Sequence, residues 1–245
     1  MRTVEHHFSF AGALQWLASV IVIAAFVMTF IVQAFVIPSE SMENTLLIGD
    51  YLLVDKIDYA TGGVFSPLLP YTKIKRGDIV VFHYPVHPQQ HFVKRVIGLP
   101  GDRIHLRNKQ VFVNGQPIVE PYTMYQSPQI NVYRDDFPTT RYIDGNVESR
   151  WWIQMRKLME DGDLIVPEGN YFVMGDNRDE SLDSRYWGFV PQQNIVGKPL
   201  VIYFSVKRDD STADAAPDAK LNRLANGVSR FWADLRWHRM MKIVR

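Results

Sequence analysis

The sequence predicts a mainly β chain: an antiparallel β domain, preceded by an N-terminal single transmembrane helix and followed by a C-terminal amphipathic segment. Three observations predict it. Phe8 to Ser39 carry no charge, and Ala13 to Ile37 are nearly all apolar, more than the roughly 20 residues that span a bilayer. Beyond them, short apolar runs recur between turn signals, and no helical pattern of about 10–15 residues alternates with them. Near the end, Leu221 to Arg245 show helical spacing with many basic residues. The expected boundaries are 1–37 for the head and anchor, 38–206 for the β domain and 207–245 for a linker and the basic segment. Within the β domain, 116–168 form an excursion on the core.

The first element ends where Pro38 turns Ile37 away from helix. A cleaved secretory signal is the alternative, but its apolar region spans only about 7–15 residues. Arg2 lies before the run, and Glu40, Glu43 and Asp50 follow it. That asymmetry favours a cytoplasmic N-terminus and an exported body.

Six strands follow in order. Tyr51–Val54 lies between Gly49-Asp50 and Asp55-Lys56, and Asp78–Phe82 follows Arg76-Gly77. Phe92–Ile97 stops at Gly98-Leu99-Pro100-Gly101. Gln110–Val113 meets Asn114-Gly115, a strong hairpin signal. Tyr171–Met174 and Leu200–Val206 complete the set. Thr61–Tyr71 is Gly/Pro-rich yet apolar, and reads as a loop either packed on the body or touching lipid. Gln116–Glu168 is polar and irregular, with Trp151-Trp152 inside it.

The last segment leaves two readings open. Phe231, Leu235 and His238 share one face, and Arg230, Arg236, Arg239, Lys242 and Arg245 supply charge. With Trp232 and Trp237, such a helix suits an anionic membrane interface. The other reading is a helix, or a final strand, docked on the domain.

A chain of 245 residues accommodates one anchor and one sizeable domain. Its formal charge of +1 gives no global field for nucleic acid. The absence of cysteine excludes disulfides, thiolate nucleophiles and cysteine-bound metal.

Ser41 stands four residues past Ile37, within roughly 14 Å of the helix end even if extended. A serine hydroxyl needs a base to become a nucleophile. His83, His87 and His91 have the spacing of a helical metal site, but Pro85 and Pro88 break any helix there, so a solvated turn is the better reading. Lys94 is the more informative candidate. In the strand Phe92–Ile97, Lys94 and Arg95 face opposite ways, one toward water and the other inward. Arginine keeps its proton, whereas a desolvated lysine can lose it. Lowering a lysine from about 10.4 to about 8 costs roughly 3 kcal/mol. An ordinary edge-strand lysine is the alternative. Gly175–Gly188 is dense in carboxylates, guanidiniums and hydroxyls, and reads either as a solvated turn or as a rigid support for a base.

Together these segments resemble the bacterial type I signal peptidases, the leader peptidases. The resemblance rests on Ile37-Pro38-Ser39-Glu40-Ser41-Met42 with Thr45-Leu46, then Gly49-Asp50 and Arg76–Phe82. Val93–Asp102 and Gly175–Gly188 follow in the family's order. The likeness covers most of Phe35 to Phe204. It implies a membrane-bound serine endopeptidase that removes N-terminal signal peptides from exported preproteins, with no metal and no cofactor. Ser41 would be the nucleophile and Lys94 the general base. Ser39 would join the Ser41 N–H in the oxyanion hole, and Ser181 would orient Lys94. Asp176, Arg178, Asp183 and Arg185 would brace the site. Small residues at −1 and −3 of the precursor would enter shallow pockets, for which Ile37, Pro38, Met42, Leu52, Phe92 and Val93 are the candidate lining. The implied partners are secretory preproteins and the lipid bilayer, with no nucleic acid. The implied place is the bacterial cytoplasmic (inner) membrane, single-pass, with the catalytic domain on the periplasmic or extracellular side.

Glu40 departs from the glycine common in the family and sets a charge beside Ser41. Two other functions compete. One is a relative specialised for a single substrate, such as a pilus or conjugation maturation peptidase. The other is an inactive membrane-anchored β module that binds peptides; Ser41 and Lys94 together argue against it.

Overall fold

The computed structural model describes residues 10–56, 73–207 and 232–244. The predicted Thr61–Tyr71 loop, most of the linker and the first half of the basic C-terminal segment lie outside these residues.

The apolar run is not one helix. Helix α1 (Phe10–Phe26) has 17 residues and passes into a π-helical turn, Val27–Ile31. The chain then extends as β1 (Val32–Val36). At 1.5 Å per residue α1 is about 26 Å long, against a bilayer core of about 30 Å. Among the described residues, no helix is long and apolar enough to cross a membrane. The helix expected to reach Ile37 stops early because its last residues have a better use. Val32–Val36 pair antiparallel, residue by residue, with β2 (Asp50–Asp55), Phe35 opposite Leu52.

β3 (Ile79–His83) and β4 (His91–Gly98) form the next hairpin. β5 (Arg103–Arg107) and β6 (Gln110–Val113) follow, and Asn114-Gly115 turns β6 back into β7 (Gln116–Pro117). The excursion continues through α2 (Val132–Asp135), α3 (Ser149–Lys157), β8 (Met159–Glu160) and β9 (Asp163–Ile165). It is less irregular than its composition implied. β9 pairs with β5, closing a five-stranded sheet in the order β7-β6-β5-β9-β8. Strands of two or three residues are too short to show an alternation in sequence.

β10 (Asn170–Met174), α4 (Ser184–Trp187), β11 (Val190–Pro191) and β12 (Ile195–Ser205) follow. The larger sheet runs β1-β2-β12-β3-β4-β10-β11, antiparallel throughout, with β13 (Lys242–Ile243) on β12. β12 pairs first with β3 and then with β2. Gly197 allows that switch, since a Cβ there would collide with the Asp55 carbonyl.

β3 shows how the core is divided. Val80 and Phe82 enter the larger apolar cluster, beside Val96, Phe172 and Trp187. Ile79 and Val81 point the other way, into a smaller cluster with Ile37, Met42, Leu46, Leu52 and Ile202. This second cluster lies directly under the turn that carries Ser41.

The described part of the C-terminal segment is docked. Met241 N–H donates to the Ile202 carbonyl at 2.7 Å, and Val244 N–H to Leu200 at 3.0 Å. Arg239 is buried and forks onto Asp50, at 3.1 Å and 2.5 Å. Its charge serves an internal ion pair rather than a lipid surface. Residues 232–234 are helical, but the helix ends there, and Trp237–Arg239 make one 3-10 turn before β13. Trp232 and Trp237 remain exposed and stack with centroids 5.7 Å apart.

Candidate active site

After Pro38 the chain stays extended at Ser39 (φ −133°, ψ 158°) and then tightens into a 3-10 turn, Glu40–Met42. Met42 plunges into the smaller cluster, which fixes the turn and leaves Ser41 at its head, 7% exposed. The first N–H groups of such a turn have no acceptor inside it, and that of Ser41 is among them.

Lys94 comes from the middle of β4, opposite Val80. It is 4% exposed, and its Nζ lies 2.5 Å from Ser41 Oγ. The amine sits 5.7 Å from the centre of the Phe92 ring. Burial pushes Lys94 down to about 8; Asp183 and Asp176 pull it back up and Arg185 opposes them. Ser39 Oγ lies 3.3 Å from Ser41 Oγ.

Arg95 corrects one expectation. Lys94 and Arg95 do leave opposite faces of β4, but neither reaches water, and Arg95 is 3% exposed. The excursion covers that face. Arg95 forks onto Asp176 at 2.8 Å and 2.7 Å, and stacks 3.8 Å from the ring centre of Tyr122. Thr45 Oγ1 donates to the same carboxylate at 2.6 Å. Burial drives the Tyr122 phenol well above its usual range, and Glu120 adds to the shift.

The Gly175–Gly188 stretch is buried rather than a solvated turn. Asp183 accepts from Gly175 N–H and from three nitrogens of Arg185, its backbone N–H included. Burial alone would raise the Asp183 carboxyl, but Arg185 and the Gly175 N–H outweigh it and hold it below its usual range. Arg185 also donates to the Arg178 carbonyl at 2.9 Å, while Tyr133 and Trp151 donate to the carbonyl of Arg185. Arg178 is held by the Gly175 carbonyl at 3.0 Å and by Glu120. Glu120, Tyr122 and Thr45 therefore belong to the support of the site. Only Thr45 stood inside a recognisable motif; the other two lie in the excursion, where sequence gave no signal.

Gly175 marks a close approach of this loop to the serine turn. A Cβ there would strike Ser181 Oγ and the Ser41 carbonyl. The Asn177 N–H donates to that same carbonyl at 3.1 Å, tying the loop to the serine turn. Ser181 is brought to the site and buried, but its Oγ makes no hydrogen bond, so the expected bond to Lys94 is not formed. The amine is turned instead toward Ser41.

Ser41 and Lys94 lie on an apolar groove of about 540 Å³. One wall is residues 34–39, and the other is His91–Val93 with Glu180 and Leu182. Ile37, Pro38, Met42, Phe92 and Val93 line it as expected from their positions. Leu52 does not: it is fully buried in the smaller cluster, because it faces the interior side of β2. Ala34, Phe35 and Val36 line the groove through β1, a strand hidden inside the apolar run. Among the described residues, no group of three or more His, Asp or Glu is placed to hold a metal ion. What the arrangement offers chemically is a hydroxyl in contact with a desolvated amine, on the floor of an apolar channel.

Comparison with known proteins adds an independent line. Residues 11–204 match the family model described as signal peptidase, peptidase S26. The chain is 36% identical over 220 residues to signal peptidase I of Pseudomonas fluorescens, covering 81% of this chain and 70% of that one. It is 37% identical over 230 residues to signal peptidase I of Aquifex aeolicus, covering 80% and 85%. A crystal structure of a signal peptidase I from Enterococcus faecalis is 35% identical, spans 52% of this chain and 97% of that one, and superposes with a TM-score of 0.38. With residues 11–204 matching the family model and four-fifths of its length matched by these relatives, the chain belongs to the signal peptidase family, peptidase S26, and is a serine endopeptidase of that family.

Proposed function

We propose that this protein cleaves N-terminal signal peptides from exported preproteins with Ser41 as nucleophile and Lys94 as general base. The observation that carries the reading is the 2.5 Å contact between Lys94 Nζ and Ser41 Oγ, made in burial. Neutral Lys94 accepts the Ser41 proton as Oγ attacks the scissile carbonyl, and the resulting ammonium protonates the departing amine. Water then enters, Lys94 takes its proton, and the acyl bond to Ser41 is hydrolysed. The oxyanion is met by the Ser41 N–H and by Ser39 Oγ, after Ser39 turns from its contact with Ser41. Such donors are commonly worth about 3 kcal/mol each. Asp176, Arg178, Asp183 and Arg185 act by holding the loop behind the dyad.

An extended precursor segment fits a groove walled by β1 and β4, adding to a strand edge as peptides do in other sheet-binding sites. Small residues at −1 and −3 suit its shallow apolar floor. The protein works at the bacterial cytoplasmic membrane, anchored once through the apolar run, with the β domain on the exported side. α1 and the π turn that continues it supply 22 uninterrupted helical residues toward that anchor. β1 then carries the chain directly into the groove wall.

The test is processing of a secretory precursor by the purified full-length protein in detergent or liposomes, read by gel shift and mass spectrometry. Ser41→Ala and Lys94→Arg each abolish cleavage while the domain stays folded, because arginine keeps the charge and loses the base. An active Lys94→Arg enzyme would refute the lysine-base assignment.

A further inference from the structure

The histidine triplet that the sequence offered as a helical metal motif is regrouped by the hairpin. His83 and His91 face each other directly across β3 and β4. The flanking bond from Tyr84 N–H to the Gln90 carbonyl, 2.9 Å, makes His83 and His91 a non-hydrogen-bonded pair, the type whose side chains approach closest. Their ring centroids are 4.5 Å apart with the planes at 45°. His83 Nδ1 lies 2.9 Å from the Pro88 carbonyl. A carbonyl only accepts, so Nδ1 carries the proton and Nε2 keeps its lone pair. That is how metal-binding imidazoles are commonly oriented. His91 is exposed, and it lines both the substrate groove and an adjoining cavity of about 360 Å³. Gln33, Lys56 and Gln193 also line that cavity.

The geometry points to a two-imidazole binding site for a borderline divalent cation such as Zn²⁺, formed by His83 and His91 in the cavity that adjoins the substrate groove, which His83 itself does not line. Imidazole nitrogen is a preferred ligand for such ions, at about 2.0–2.1 Å, and side-chain rotation of the paired rings brings one nitrogen from each to a shared ion. Water and the glutamine amides complete the coordination. Two imidazoles beside the positive Lys56 make an exchangeable site rather than a structural one. The His91 ring is 5.2 Å from that of Phe35 on the opposite groove wall. An ion that fixes His91 therefore stiffens the groove mouth and inhibits cleavage without touching Ser41 or Lys94.

Metal binding is measured by calorimetric titration of Zn²⁺ into the metal-stripped full-length protein, in a His6→Gln/His7→Gln background that removes the chain's other adjacent histidine pair. The expected result is one saturable ion per chain, lost in His83→Gln and in His91→Gln. Retained binding in either variant, or none in the parent, overturns the site. Inhibition rests on the peptidase reading and is read separately. Zn²⁺ lowers precursor cleavage by the parent, EDTA restores it, and His83→Gln cleaves normally but ignores Zn²⁺. A His83→Gln enzyme that Zn²⁺ inhibits as strongly as the parent overturns the inhibitory role, while the binding arm stands whether or not the chain cleaves precursors.

Discussion

Shifting the pH across the ionisation of Lys94 changes cleavage by an amount that follows from its burial. With Lys94 at about 8, the neutral fraction is about one hundredth at pH 6, about one tenth at pH 7 and about nine tenths at pH 9. Only the neutral amine takes the Ser41 proton, so kcat/KM rises about 90-fold between pH 6 and pH 9, with unit slope on the acid limb. The assay is initial-rate cleavage of a peptide bearing the precursor junction by the full-length enzyme in detergent, at constant ionic strength. Asp183→Asn extends the test. Asp183 is the carboxylate that most strongly raises Lys94, and Arg185 opposes it. Removing the carboxylate charge leaves Arg185 behind, so the midpoint of the acid limb moves to lower pH. A profile flat from pH 6 to 8, or a midpoint near the ordinary lysine value of about 10.4, refutes the desolvated base.

Other outcomes follow from the same contacts. Lys94→Met stabilises the fold at pH 7 by up to about 3 kcal/mol, while abolishing cleavage. The sign is set by a folded value near 8 against 10.5 unperturbed. Below pH 8 both states carry the proton and the folded state bears the full burial cost. From pH 8 to about 10.5 the unfolded chain binds more protons, wild-type stability rises and the advantage of methionine fades. Chemical denaturation at pH 7 and pH 10 measures it. Asp183→Asn also lowers stability by about 3–5 kcal/mol, read in the same denaturation, because Arg185 is left buried without its partner. Gly175→Ala forces Ser181 and the Ser41 carbonyl apart, costing about 1–3 kcal/mol and most of the activity. Thermal unfolding and the cleavage assay report the two effects.

The elements legible in sequence were those whose signal is local. Each of the six strand runs bounded by Gly, Pro or Asn-Gly became a strand, because turn chemistry acts over a few residues. Ser41 stood out by its place just past the apolar run, whereas the residues around Lys94 left an ordinary edge-strand lysine open and only the resemblance across several motifs singled it out. β1 was not legible: Val32–Val36 read as membrane helix, since a strand paired along one edge and an apolar helix share the same composition. Arg95 was misjudged for a related reason. Alternation along β4 gave its face correctly, but nothing in a strand's own sequence says that a distant excursion covers that face. Leu52 was placed in the pocket by proximity to Ser41, although the side of β2 it occupies depends on register with β1 and β12. Glu120 lies 58 positions from Arg178, and Tyr122 lies 27 from Arg95, on chain folded into short pieces where no periodicity survives.

The clasp between Arg239 and Asp50 has a consequence in time. The two residues are 189 positions apart, yet Arg239 also donates to the Thr45 carbonyl at 3.0 Å, and Arg236 to that of Ile48 at 2.9 Å. The segment that follows Ser41 is therefore fastened by side chains translated long after it. A nascent chain still lacking residues 236–239 holds Asp50 without its guanidinium partner, so the ribosome must add almost 190 residues beyond Asp50 before the turn that carries Ser41 gains its final brace.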